Sequence, residues 1–488
     1  MNRILGGLIL AAIYAGLSGA GLGQVREGAS PEPTEMVIRL KVQAAAAPKP
    51  VLKYRLLPEL RDINPGNPIQ GYMKCFAANR HFFSSKLTYE ELEKLDDMPL
   101  KDLPVEKLRA YGGSTLRMVD NAARLDHPDW QVLLPLKNSW FDSVTFEELG
   151  QLRVLTAFLR LRLRGEIADH RFDDALFTLQ TIFALCRHAA EHPSMLGTHT
   201  ALSMANAATY PLEEMLGEPG CPNLFWALAD LPQPFVDVRL GLQGEGILFL
   251  KEFSLVDDKT PMADTEMMKV VDRFQTIDDT MRQRYDPVKK KFLRQPPLLR
   301  KWFVDRVKDS EYVASARRRL VERGSAETLV RQFSPLQVVF IAQKGVFAER
   351  RDEMQKGQLL PYWQMEAAFA ARESPRAPIP PIALGKDDFA FAEWVQNNDW
   401  IRRIQANTEQ RFALLRCVEA LRLHAAEHGG QLPAKLADVK LPLPVDQFTG
   451  MEFVYKLDGG TATLHGTPPR RFEKVATYNI RYEVTIVK

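Results

Sequence analysis

From Leu87 to about residue 375 the apolar residues recur at intervals of three and four, a spacing that leaves the chain little choice but packed helices. Phe146, Leu149, Leu152, Leu155, Leu159 and Leu163 form one such stripe, with Glu147, Glu148, Gln151, Arg160 and Arg164 off it. A break at Asp169 to Arg171 leads into a second stripe of Phe172, Ala175, Leu176, Leu179, Ile182, Phe183 and Cys186, which runs until Pro193 interrupts it. Two amphipathic helices joined by so short a break fold back on each other as an antiparallel hairpin. No 34-residue register repeats through the chain, so the hairpin is not the unit of a repeat array.

The C-terminal part has a different pattern. Phe412, Leu415, Val418, Leu421 and Ala425 mark a long helix that ends at Gly429-Gly430, since glycine accepts the left-handed conformation that terminates helices. Phe453 to Leu457 and Thr461 to His465 flank Asp458-Gly459-Gly460, a hairpin signal, and Tyr478 to Val487 alternates as a third strand. The predicted fold class is mainly α: antiparallel helical hairpins or a bundle, with a small C-terminal α+β module of one long helix and a three-stranded antiparallel sheet. Boundaries are placed at 1–23 (signal peptide), 24–86 (extended segment with a strand at Met36 to Val42), 87–375 (helical domain), 376–400 (linker and helix, with four prolines between Ser374 and Pro381) and 401–488 (C-terminal module). The turn Asn64-Pro65-Gly66-Asn67 argues against helix around it.

The N-terminus reads as an export signal. Arg3 precedes the apolar run Ile4 to Leu17, and Ser18-Gly19-Ala20, or Gly21-Leu22-Gly23 after it, offers small residues for cleavage. The mature chain is therefore expected to be periplasmic or extracellular. Four cysteines, Cys75, Cys186, Cys221 and Cys417, allow two bridges in three pairings, but Cys186 lies on an apolar helix face where a buried free thiol is the simpler expectation. Lys plus Arg number 64 against 61 Asp plus Glu, so no global field draws in nucleic acid, and no nucleic-acid partner is expected.

Two features carry candidate chemistry. In His188-Ala189-Ala190-Glu191-His192, histidines four residues apart share one face of a helix and could hold zinc, with Glu191 as general base. The same five residues recur as His424-Ala425-Ala426-Glu427-His428, and both copies stand at a helix end, where the helix dipole favours histidine without any metal. The second feature is the basic cluster Lys289, Lys290, Lys291, Arg294, Arg300 and Lys301 around Phe292, Leu293, Trp302 and Phe303. A segment from Lys289 to Phe303 of this kind can touch anionic lipid head groups or nucleic acid, but Asp286 and Asp305 flank it and the chain is near neutral, which favours a solvated helix face. Gly241, Gly244 and Gly246 lack a preceding strand and point to a turn or close helix packing. Asp446 reads as a turn former, with calcium ligation as the alternative.

Several segments resemble an uncharacterised family of exported bacterial envelope proteins: Lys49-Pro50 through Pro58-Glu59 with Pro65-Gly66-Asn67, the hairpin Arg164 to Pro193, and the tail Ala420 to Tyr455. The tail also resembles the globular end of type II secretion pseudopilins, through Gly430-Gln431-Leu432-Pro433-Ala434-Lys435-Leu436 and Asp446-Gln447-Phe448-Thr449-Gly450. Gln447 replaces that family's proline, and its N-terminal processing helix has no counterpart here. The resemblance implies export and architecture and carries no catalytic residue. The expected function is thus a non-catalytic scaffold that binds other envelope proteins without a cofactor; the alternative is a zinc-dependent hydrolase built on His188, Glu191 and His192.

Overall fold

The computed structural model describes residues 34–84, 86–109, 111–138, 147–281, 284–286, 291–293, 298–370, 390–391, 394 and 399–487. The expected leader at 1–23 and most of the linker at 376–400 lie outside them. Helix begins earlier than the sequence suggested. Asn64 to Gly66 does form a turn, but Asn67 is the N-cap of helix α1 (Pro68–Ala78): its side chain accepts from Ile69 N–H at 3.0 Å, and Pro68 occupies the first helical position. An Asn-Pro pair of this kind starts a helix, because proline loses nothing where the N–H has no intrahelical partner. The segment 24–86 is thus extended only in its first part.

The hairpin expected at residues 146–193 is formed by α2 (Glu147–Ala168) and α3 (Phe172–Ala190). Ser194 caps α4 (Met195–Gly217), its Oγ accepting from Gly197 N–H at 3.0 Å. These three helices pack on one another, and α4 also meets α5 (Arg239–Phe253), the long C-terminal helix and the sheet. A second group is organised by α6 (Asp264–Met281) and α7 (Pro335–Gln355) around an aromatic cluster. There Phe274 stacks on Trp394 with centroids 5.2 Å apart, Phe303 stacks on Phe340, and Trp394 Nε1 donates to the buried Asp278 at 3.0 Å. The long helix α8 (Asp399–Glu427) is buried on nearly all sides.

The sheet corrects the expected three antiparallel strands. It has four, in the order β1 (Met36–Gln43), β6 (Ile480–Val487), β5 (Thr461–His465), β4 (Val454–Asp458); a separate pair, β2 (Arg284–Asp286) and β3 (Lys291–Leu293), stands apart from it. The β4–β5 hairpin turns at Gly459-Gly460, both at positive φ, as expected for a two-residue loop. The added strand is β1, which runs parallel to β6 with Leu40 opposite Val484 and Val42 opposite Ile486. Leu40, Val42, Ala462, Leu464, Tyr482 and Val484 are buried, so the sheet turns one apolar face inward, where β1 meets α4 and β6 meets α8. Parallel neighbours need a crossover, and here the whole helical body supplies it.

All four cysteines are buried and free. No helix among the described residues is long and apolar enough to cross a membrane.

Candidate functional site

The end of α3 is where the sequence placed its candidate chemistry, and the structure separates the three residues. Helix α3 stops at Ala190, with Glu191 as its C-cap, so His192 lies beyond it and the shared helical face assumed for His188 and His192 does not exist. The cause is Pro193. A residue preceding proline is pushed out of the helical region by the proline ring, and that residue is His192. Glu191 is exposed while His192 is buried, which sorts the proposed base and one proposed ligand between solvent and interior.

Each histidine has local partners. Tyr72 Oη, from α1, lies 2.8 Å from His188 Nδ1, and Trp130 Nε1 donates to the His188 carbonyl at 2.9 Å. The Trp130 ring meets His192 edge-on, with centroids 4.8 Å apart. Ser194 Oγ lies 2.8 Å from His192 Nδ1 and also accepts from Gly197 N–H, so one hydroxyl ties the imidazole to the first turn of α4. Burial lowers the His188 imidazole to about 4, with Arg187 adding to the effect, and burial lowers His192 to about 3. Both rings are therefore neutral polar wedges that dock the N-terminal elements onto α3. Among the described residues no group of three His, Cys, Asp or Glu side chains assembles into a metal-ligand set.

A pH prediction follows for His192. Its pKa in the folded protein lies below the unfolded value of about 6.5, so its neutral form stabilises the fold fully above that pH. This contribution falls by about 1.4 kcal/mol per pH unit as the pH drops below about 6.5 toward the folded value. Paired urea titrations of the native protein and His192→Gln should show the stability difference between them shrinking on acidification from about pH 6.5 to 4.5. Parallel profiles would contradict a buried neutral His192.

The second copy of the pentapeptide has another fate. His428 is followed by Gly429 instead of proline, α8 continues to Glu427, and His428 N–H still bonds the His424 carbonyl at 3.1 Å. The two rings stack, with centroids 3.8 Å and planes 9° apart.

Elsewhere the structure uses charge as internal bracing, which sequence reasoning did not flag. Arg411 of α8 donates twice to Glu213 of α4, at 2.9 Å each, and the Tyr482 hydroxyl of β6 donates to the same carboxylate. Arg422 reaches the carbonyls of Gln43 at 2.9 Å and Cys221 at 2.7 Å and pairs with Glu419 at 2.8 Å. Arg164 joins Glu214 at 2.7 Å and the carbonyls of Leu95, Asp96 and Met98. One signal was available: Arg411, Leu415, Val418 and Arg422 fall on a single helical stripe, so the two arginines share the apolar face.

The remaining candidates resolve individually. Of the basic cluster, Phe303 is buried in the aromatic core, Arg300 pairs with Asp272 at 2.8 Å and Lys301 pairs with Asp305. Residues 287–290 and 294–297 lie outside the described residues. Asp446 accepts from Phe448 N–H, Gln410 Nε2 and Thr467 N–H at 2.7 to 2.9 Å, so its carboxylate fastens the C-terminal loop to α8. Gly241 and Gly244 do permit close helix packing, against the turn from Pro193 to Ser194. Compared with protein-family models, curated proteins and solved structures, the chain gives no match.

Proposed function

We propose that this chain is an exported, non-catalytic scaffold of the bacterial envelope that works by binding other proteins. The observation that carries the reading is the use made of its interior charges: Arg411, Glu213, Arg422 and Arg164 bridge separate elements. They hold separate elements in one fixed arrangement, as a protein that works by presenting surfaces requires. The pseudopilin-like tail supports the same reading, because α8 runs through the Gly430 to Leu436 turn and the Asp446 to Gly450 loop into a small sheet. Removal of residues 1–23 during export belongs to this proposal.

The test uses protein recovered from the envelope. N-terminal sequencing should find the chain starting after Ala20 or Gly23, and cross-linking in intact cells should give a discrete protein adduct that is lost when Arg411→Met loosens the fold. Metal analysis separates the hydrolase reading. His188→Ala should lower stability by about 1 kcal/mol, as expected for loss of a polar contact, with metal content unchanged. Stoichiometric zinc that disappears in His188→Ala, together with hydrolytic activity, would overturn the scaffold.

A further inference from the structure

The exposed end of α8 carries a feature that the scaffold does not use. His424 and His428 stand one turn apart with their rings face to face, 3.8 Å between centroids and 9° from parallel. His428 Nδ1 lies 2.7 Å from the His424 carbonyl. A carbonyl only accepts, so Nδ1 carries the proton and the lone pair of His428 sits on Nε2. His428 is exposed and His424 half-buried. Among the described residues the His424 ring makes no hydrogen bond of its own.

Three further observations make this pair a formed feature and not two adjacent surface side chains. The helix end is fixed: Gly429 and Gly430 take φ of 61° and 86°, and Gly430 N–H bonds back to the Ala425 carbonyl at 2.7 Å. That six-to-one bond is the one that closes a Schellman cap. The Nδ1 to carbonyl bond then sets the orientation of the second ring, as backbone and carboxylate partners commonly do for metal-binding histidines. Finally, Glu427 and Asp438 place negative charge beside His424.

We propose that His424 and His428 form a bidentate surface site for a late first-row transition-metal ion, with water completing the coordination. Imidazole nitrogens bind such ions at about 2.0–2.1 Å, which puts two ligand atoms of one ion roughly 3 Å apart. In the parallel stack the in-plane lone pairs do not yet converge, so binding requires the His424 ring, which makes no hydrogen bond among the described residues, to turn out of the stack toward the ion held by His428 Nε2. Two neutral imidazoles follow the general stability order of divalent first-row ions, so Cu²⁺ binds before Ni²⁺ and Zn²⁺, whereas Mg²⁺ and Ca²⁺ prefer oxygen ligands and do not bind. The site is independent of His188 and His192 and stands or falls separately from the scaffold reading.

The experiment is calorimetric titration of the untagged, full-length mature protein with Cu²⁺, Ni²⁺, Zn²⁺ and Mg²⁺. One equivalent of Cu²⁺ should bind, Ni²⁺ and Zn²⁺ should bind more weakly, and Mg²⁺ should give no signal. His424→Ala and His428→Ala should each weaken Cu²⁺ binding at least tenfold, and His127→Ala, an exposed histidine elsewhere, should leave it unchanged. His428 is exposed and His424 is half-buried without a hydrogen bond of its own among the described residues, so the metal-free thermal transition should move little and show that the fold is intact. Equal Cu²⁺ affinity in the native protein and His424→Ala, or no saturable binding below millimolar metal, would refute the site.

Discussion

Arg411→Met is expected to destabilise the protein by about 3–5 kcal/mol, the range seen when one member of a buried ion pair is removed and the other is left without its counter-charge. The size follows from the surroundings. Arg411 and Glu213 are both buried, their two hydrogen bonds are 2.9 Å each, and the guanidinium also lies over the Tyr210 ring at 4.1 Å. Without Arg411, Glu213 keeps, among the described residues, the Tyr482 hydroxyl as its hydrogen-bond donor and must be protonated or stay charged in a buried setting. Combining Arg411→Met with Glu213→Gln removes the stranded charge and should recover part of the loss. Chemical denaturation of the two single variants and the double variant closes the cycle, and additive losses would show that the two residues do not act as a pair. Because α4, α8 and β6 meet at this carboxylate, unfolding should remain a single transition whether followed in the helical body or in the sheet.

Gly244→Ala and Gly246→Ala should move stability in opposite directions although they sit two residues apart on α5. A Cβ on Gly244 would fall 1.8 Å from the Pro193 carbonyl oxygen and 2.5 Å from its carbon. Backbone cannot swing aside as a side chain does, so α5 or the Pro193 turn must shift, at a cost of about 3 kcal/mol or more, the upper end for overpacked cores. At Gly246 a Cβ meets nothing within 4 Å. Alanine there should stabilise the helix by about 0.5–1 kcal/mol, because the unfolded chain loses freedom and the helix gains a better former. Urea unfolding of the two variants decides the matter, and shifts of the same sign would mean that α5 does not approach the turn as closely as described.

The elements legible in the sequence are those whose signals are local. The hairpin of α2 and α3 follows from apolar spacing and Pro193, and the β4–β5 turn from Asp458-Gly459-Gly460. The end of α8 is given away by two glycines. Non-local features were hidden. Nothing in residues 36–43 says that their partner is residues 480–487, because alternation marks a strand and is silent about its neighbour. Helix α1 was obscured by the Pro65-Gly66 turn directly before its Asn67 cap. Helix α8 reads as one-sided because arginine is usually exposed, yet Arg402, Arg411 and Arg422 are buried with their partners. The candidate site teaches the same lesson through two identical pentapeptides. Their five residues contain no information about which copy faces outward, and the residue that follows each, Pro193 or Gly429, decides it.

The parallel union of β1 with β6 also bears on timing. Arg39 and Glu483, 2.9 Å apart, are separated by 444 positions, and such remote contacts repay the entropy of closing a very long loop only at the end of assembly. Until the final strand arrives, β1 has no sheet partner on either side, so an incomplete chain carries two open strand edges, one of them the edge that β6 later covers, inviting misassociation. A chain emerging from its first residue onward would have to keep that edge guarded for nearly its whole synthesis.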